Sequence, residues 1–100
     1  MNDITPKELK SRLEKGETLP LFDVREDWEY DESNIGAELL PLASIPLRLK
    51  ELEPLKTKEV IVHCKSGSRS HQAKKYLSKQ GFRQVRSLIG GIEAYLNNQK

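Results

Sequence analysis

The chain has little to crosslink, insert or bind with by charge alone. It holds one cysteine in 100 residues, so no internal disulfide is available, and a lone thiol suits a reducing cytoplasm. One cysteine and two histidines make no recognisable zinc spacing. No apolar run exceeds a few residues, far short of the roughly 20 that cross a bilayer. The opening Met1-Asn2-Asp3-Ile4-Thr5-Pro6 has no basic region followed by an apolar stretch, so no secretory signal is expected. The net charge is only +2, from 17 basic and 15 acidic side chains that are interspersed. No basic stripe carries aromatics, which argues against nucleic acid as a partner. Repeats, low-complexity tracts and linkers are missing too. What is there, 36% hydrophobic and 32% charged, is the composition of one small folded domain over residues 1–100.

Local signals divide the chain. Thr5-Pro6-Lys7-Glu8 reads as a helix start: Thr5 caps, Pro6 suits the first helical position, and Glu8 completes a capping box. Leu9 and Leu13 mark its buried face, and Gly16 its stop. Leu19 to Val24 reads as a strand entered at Pro20. Asp27 to Asn34 is acidic and loop-like, with Trp28 and Tyr30 packing inward. Gly36 and Pro41 leave room for a short strand near Glu38 to Leu40. Ile45 to Leu52 is a short amphipathic helix with Pro46 near its first position. Glu59 to Cys64 is the clearest strand, since Val60, Ile61 and Val62 in succession imply burial on both faces. A helix over Ser68 to Gln80 ends at Gly81, a short strand covers Gln84 to Leu88, and a last helix runs from Gly91 to Asn97 with Ile92, Tyr95 and Leu96 inward. This alternation is that of an α/β fold, a parallel sheet covered by helices on both faces, with sites at the carboxyl ends of the strands. Cys64 stands at such an end.

The loop from Cys64 to Ser70 carries the chemistry. The reactive form of cysteine is the thiolate, which burial alone disfavours. A tight turn from strand into helix lets the amides from Lys65 to Ser70 converge on the sulfur, and Gly67 supplies the backbone freedom such a turn needs. Ser66, Ser68 and Ser70 add hydroxyl donors, and the helix start adds unsatisfied N–H groups. In a phosphatase with a cysteine nucleophile the arginine stands one residue farther on, at the position held here by Ser70. The shorter Cys64–Arg69 ring suits a smaller group than phosphate, such as a single sulfane sulfur carried on Cys64.

Cys64-Lys65-Ser66-Gly67-Ser68-Arg69-Ser70 resembles the active-site loop of the rhodanese family of sulfurtransferases. Leu21-Phe22-Asp23-Val24-Arg25-Glu26 resembles the family's first-strand signature, Ile35-Gly36-Ala37 the segment after its second loop, and Gly90-Gly91-Ile92-Glu93-Ala94-Tyr95 its closing Gly-Gly turn and helix. The four segments occur in family order over nearly the whole chain. The resemblance implies a rhodanese-like three-layer α/β/α domain with a mostly parallel five-stranded sheet, and a ping-pong reaction without metal or organic cofactor. In that reaction the Cys64 thiolate takes the outer sulfur of thiosulfate or a similar anion, releases sulfite, and passes the sulfur to cyanide, a thiol or a protein. Cys64 is then the nucleophile and sulfur carrier. Lys65, Ser66, Gly67, Ser68 and Arg69 form the substrate-binding loop, with Lys65 and Arg69 offering positive charge to the donor. One departure stands out: Ser33-Asn34-Ile35 occupies the place of the family's usual Gly-His-Ile.

Other residues read as structural. Asp23 and Arg25 make a supporting pair or loop anchor, because no proton task requires them. His63 precedes Cys64 on a strand and points to the opposite face, as a core histidine. His71 is exposed on the following helix. Gly90 and Gly91 form a tight turn that also serves as a pocket wall. The competing readings are a protein-to-protein relay for an enzyme that activates sulfur carriers in molybdopterin or thiamine synthesis, a non-catalytic module of the same fold (against which Cys64 argues), and an arsenate reductase or phosphatase.

Overall fold

The computed structural model describes residues 2–97. Helix α1 spans Pro6–Glu14, strand β1 Leu21–Asp23, α2 Asp27–Glu32 and β2 Glu38–Leu39. Helix α3, Ile45–Leu52, lies between two single 3-10 turns, and β3 covers Glu59–His63. Helix α4 runs over Ser68–Lys79, β4 over Gln84–Ser87 and α5 over Gly91–Asn97. The sheet is wholly parallel in the order β2-β1-β3-β4. Asp23 faces His63 across β1 and β3, and Val62 faces Ser87 across β3 and β4. Parallel strands put all their carboxyl ends on one edge, so Asp23, Cys64 and Ser87 gather there.

Two cores sandwich the sheet. Alternate β3 residues go to opposite sides, as the pleat requires. Val60 and Val62 join Phe22, Val85, Leu52 of α3 and Leu77 of α4. Ile61 joins Leu21, Leu88, Leu9 of α1 and Tyr95 of α5. Each fully buried aliphatic side chain in these layers contributes roughly 1.5–3 kcal/mol of transfer free energy. The three-layer α/β/α arrangement is therefore present, with helices on both sides. Among the described residues no helix is long and apolar enough to cross a membrane.

Several expectations need correction. The sheet has four strands rather than five. What would be a fifth is an isolated parallel bridge from Ile4 to Leu88. Ile4 N donates to Ser87 O at 3.0 Å and Ile4 O accepts from Ile89 N at 2.9 Å, but the chain turns into α1 one residue later. Thr5 caps α1 through Oγ1, which accepts from Glu8 N at 3.1 Å. The Glu8 carboxylate does not close a capping box; it accepts from Arg86 instead, at 2.7 and 2.9 Å. Asp27–Glu32 is a helix rather than a loop, started by a capping box between Glu26 and Glu29. On it Trp28 is 61% exposed and does not pack inward, and Leu96 on α5 is 42% exposed. Tyr30 is half-buried, with its hydroxyl donating to Ala37 O at 2.6 Å.

Candidate active site

Cys64 follows the last residue of β3 on the same side of the sheet as Val60 and Val62, and only 1% of it is exposed. The chain then turns at once into α4. Gly67, at the N-cap, has φ +121°, a conformation that a side chain strongly disfavours. This turn folds backbone donors onto the sulfur: Gly67 N lies 3.1 Å and Ser70 N 3.3 Å from Sγ. The Ser70 hydroxyl lies 3.5 Å from Sγ. Burial is the largest single influence on the thiol and opposes ionisation. The Ser70 hydroxyl and amide and the amides of Gly67 and Ser66 together outweigh it, and the thiol sits below its ordinary value.

The back of the loop is held by α5. Ile92 N donates to Cys64 O at 2.9 Å and Glu93 N to Lys65 O at 3.2 Å. Such an approach needs glycine: a Cβ at Gly91, whose φ is +63°, would lie 2.4 Å from Lys65 O and 2.6 Å from Cys64 O. The Gly-Gly turn is thus a structural clamp on the loop.

The loop residues named from the sequence divide by orientation. Lys65, Ser66 and Ser68 are exposed, while Gly67 gives an amide to the sulfur. Arg69 donates two hydrogen bonds to the Glu29 carboxylate, at 2.6 and 2.9 Å, and remains within electrostatic reach of the sulfur. Glu29 is 8% exposed, and the Arg69 guanidinium holds its carboxyl down at about 2 against the cost of burial. Glu29 escaped sequence reading because it sits in an acidic run; Glu26-x-x-Glu29 spacing is the signal of its helix, but nothing in the sequence marks its partner. Ser70, read from the sequence as a donor to the sulfur, is one, whereas Ser87 was missed. Ser87 Oγ lies 2.6 Å from Ser70 Oγ, and the polar residue two places after buried Val85 on a strand was the available clue.

Asp23 and Arg25 form a buried pair beside the site. Arg25 Nε and Nη2 donate to the Asp23 carboxylate at 3.0 and 2.8 Å, and Nη2 also donates to Ser33 O at 2.7 Å, tying the end of β1 to the end of α2. His63 is fully buried on the opposite side from Cys64; its Nδ1 lies 3.4 Å from Cys64 O, and its Nε2, 3.7 Å from Asp23 Oδ2, has no hydrogen-bond partner among the described residues. Burial keeps its imidazole below the ordinary value despite that carboxylate. His71 is exposed. Asn34 serves its own turn: Oδ1 accepts from Gly36 N at 3.0 Å and Nδ2 donates to Tyr30 O at 3.1 Å.

A cleft of about 180 Å³ opens beside the loop, lined in part by Arg25, Trp28, Lys65, Ile92 and Leu96. A larger groove of about 660 Å³, around Pro20, Leu55 and Lys58, shares no residue with the loop. Its size does not make it the site, since Cys64 does not line it. Among the described residues no cluster of three or more His, Cys, Asp or Glu could hold a metal.

A buried cysteine in a ring of backbone amides at the end of a parallel strand defines a class of sulfur- or anion-handling domain. The rhodanese-like domain family matches residues 5–98, and the chain belongs to that family. It is 38% identical to a sulfurtransferase of Allochromatium vinosum over 95% of this chain and 88% of that protein. It is 37% identical to the probable adenylyltransferase/sulfurtransferase MoeZ of Mycobacterium tuberculosis, over 92% of this chain but 24% of that longer protein. The rhodanese-like domain of the Anabaena protein Alr3790 superposes with a TM-score of 0.86 at 30% identity, covering 96% of this chain and 74% of that one.

Proposed function

We propose that the chain carries sulfane sulfur as a persulfide on Cys64. The observation that supports this most directly is the set of donors from Gly67 and Ser70, 3.1 to 3.5 Å from a buried sulfur. They favour the thiolate and, after transfer, the negative charge of the persulfide. The thiolate attacks the outer sulfur of thiosulfate or a similar donor. A new S–S bond forms, the donor's S–S bond breaks, and sulfite leaves with the electron pair. A thiolate or cyanide then attacks the outer sulfur of the persulfide, and Cys64 leaves as thiolate. Lys65 offers its exposed ammonium to the donor; Asp23 and Arg25 support the loop. No cofactor is required, and a reducing, cytoplasmic setting suits a carrier with one free thiol. Residues 1–100 act in this reading as a single domain.

A second reading is a relay to or from another protein. Two observations favour it: the likeness to a segment of a longer adenylyltransferase/sulfurtransferase, and the exposed Trp28 and Leu96 beside the cleft.

The test is intact mass before and after the reduced protein meets thiosulfate, beside Cys64→Ser. A gain of one sulfur in the wild type alone, removed by cyanide, is expected. No gain overturns thiosulfate as donor. Loading by a protein persulfide in its place would establish the relay.

A further inference from the structure

Ser87, the last residue of β4, is buried behind the loop and has no part in the transfer as drawn. We propose that Ser87 is a positioning residue for Cys64: its hydroxyl donates to Ser70 Oγ and so leaves the Ser70 proton available to the sulfur. This rests on Cys64 being the reactive group.

Counting protons gives the direction. Each serine hydroxyl has one proton and two lone pairs. Ser70 Oγ has three neighbours besides its own backbone: Ser87 Oγ at 2.6 Å, Gly67 O at 3.2 Å and Cys64 Sγ at 3.5 Å. For the buried Ser87 hydroxyl, the acceptor in reach among the described residues is Ser70 Oγ. Were Ser70 to donate instead, the Ser87 proton would be buried without an acceptor, which is costly. Ser87 therefore donates.

With the direction fixed, both states of the sulfur are satisfied. In the thiol state S–H donates to the second lone pair of Ser70 Oγ, and Ser70 donates to Gly67 O. On ionisation the S–H proton leaves to solvent or base, and Ser70 swings its own proton from Gly67 O to the thiolate. Gly67 O keeps a donor throughout, because His71 N reaches it at 3.0 Å. Ser87 holds Ser70 Oγ in place during the swing. Strand alternation explains why it is there: Val85 and Ser87 face α4, while Arg86 faces α1.

The experiment is the pH dependence of Cys64 alkylation by iodoacetamide in wild type, Ser87→Ala, Ser70→Ala and the double variant. No sulfur donor is present, so the result is independent of whether thiosulfate loads the protein. Ser87→Ala removes one oxygen and adds no atom, which the packing tolerates. The expected result is a higher midpoint in Ser87→Ala and alkylation near pH 7 slowed about three- to tenfold, the net worth of one ordinary hydrogen bond. In the Ser70→Ala background Ser87→Ala has no further effect. An unchanged midpoint in Ser87→Ala overturns the inference, and so does an equal shift with and without Ser70.

Discussion

The two edges of the sheet treat charge in opposite ways. At the amino ends of the strands, Glu59 opens β3 between two guanidinium groups. Arg12 donates to it at 2.7 and 2.6 Å, Arg86 at 2.8 Å, and Arg86 also holds Glu8. Each of these charges meets an opposite charge, and the result is a brace between α1, β3 and β4. At the carboxyl ends a potential anion, the Cys64 sulfur, is hydrogen-bonded by amides and a hydroxyl, while the hydrogen bonds of the Arg69 guanidinium go to Glu29. Neutralised side chains stabilise a fold and leave nothing to react. Fixed backbone dipoles favour the thiolate without capping it with a second side chain, so the sulfur remains a nucleophile.

The largest effect comes from breaking the carboxyl edge. Gly91→Ala places a methyl 2.4 Å from Lys65 O and 2.6 Å from Cys64 O, against backbone that cannot yield without moving the loop. Sulfur loading by Cys64 is expected to fall at least tenfold, with a loss of about 1–3 kcal/mol from strain and overpacking. The checks are persulfide formation by mass and thermal unfolding. Full loading in Gly91→Ala would show that the clamp of α5 on the loop is dispensable.

Breaking the amino edge is smaller and of another kind. Arg12→Met leaves Glu59 with Arg86 alone and is expected to cost about 1–2 kcal/mol, given partial exposure. Cys64 alkylation keeps its pH midpoint. The pH dependence gives the sign. The Arg12 guanidinium, chiefly, with Arg86, holds the Glu59 carboxyl at about 2, below its ordinary value of 4.5. A folded carboxyl held low stabilises the protein above the unfolded value, and that contribution disappears as pH falls from about 4.5 toward 2. The difference in unfolding temperature between wild type and Arg12→Met therefore narrows over that interval. A difference that stays constant in acid would mean that Arg12 acts through packing alone.

How far the sequence foretold these edges follows from the range of each interaction. β3, α3 and α5 were legible because their signals are local: three β-branched or aliphatic residues in succession, a proline near a helix start, a double glycine before a helix. The Cys64 loop was legible for the same reason, since its amides lie within a few residues of the sulfur they face. The fifth strand was implied by resemblance and reduces to Ile4, because the cap at Thr5 starts α1 too soon for a longer ladder. Helix α2 was hidden by its shortness and acidity. The Glu29–Arg69 and Ser70–Ser87 contacts join residues 40 and 17 positions apart, and no spacing announces such a pair. Asn34 illustrates the converse: its side-chain bonds among the described residues go to Tyr30 and Gly36, within its own turn.

The smallest effect tests a place where the two edges are alike, as they also are at the buried Asp23–Arg25 pair. Glu29–Arg69 is an ion pair of the amino-edge kind built into the mouth of the site, 2.6 Å between its closest atoms. As long as it holds, the loop's arginine offers little net charge to an incoming anion, and the exposed Lys65 is the nearer attraction. Glu29→Gln removes the counter-charge and keeps an oxygen to accept from Glu26 N, the bond that starts α2. Arg69 then keeps its full positive charge beside the loop. For thiosulfate, a dianion, the expected result is a KM lower by about two- to fivefold, an attraction weakened by added salt. For an uncharged persulfide donor KM stays where it is. Steady-state kinetics with both donors at low and high ionic strength measure the difference. An unchanged thiosulfate KM would mean that Arg69 does not act on the donor even when freed, leaving Lys65 and the loop amides to hold it.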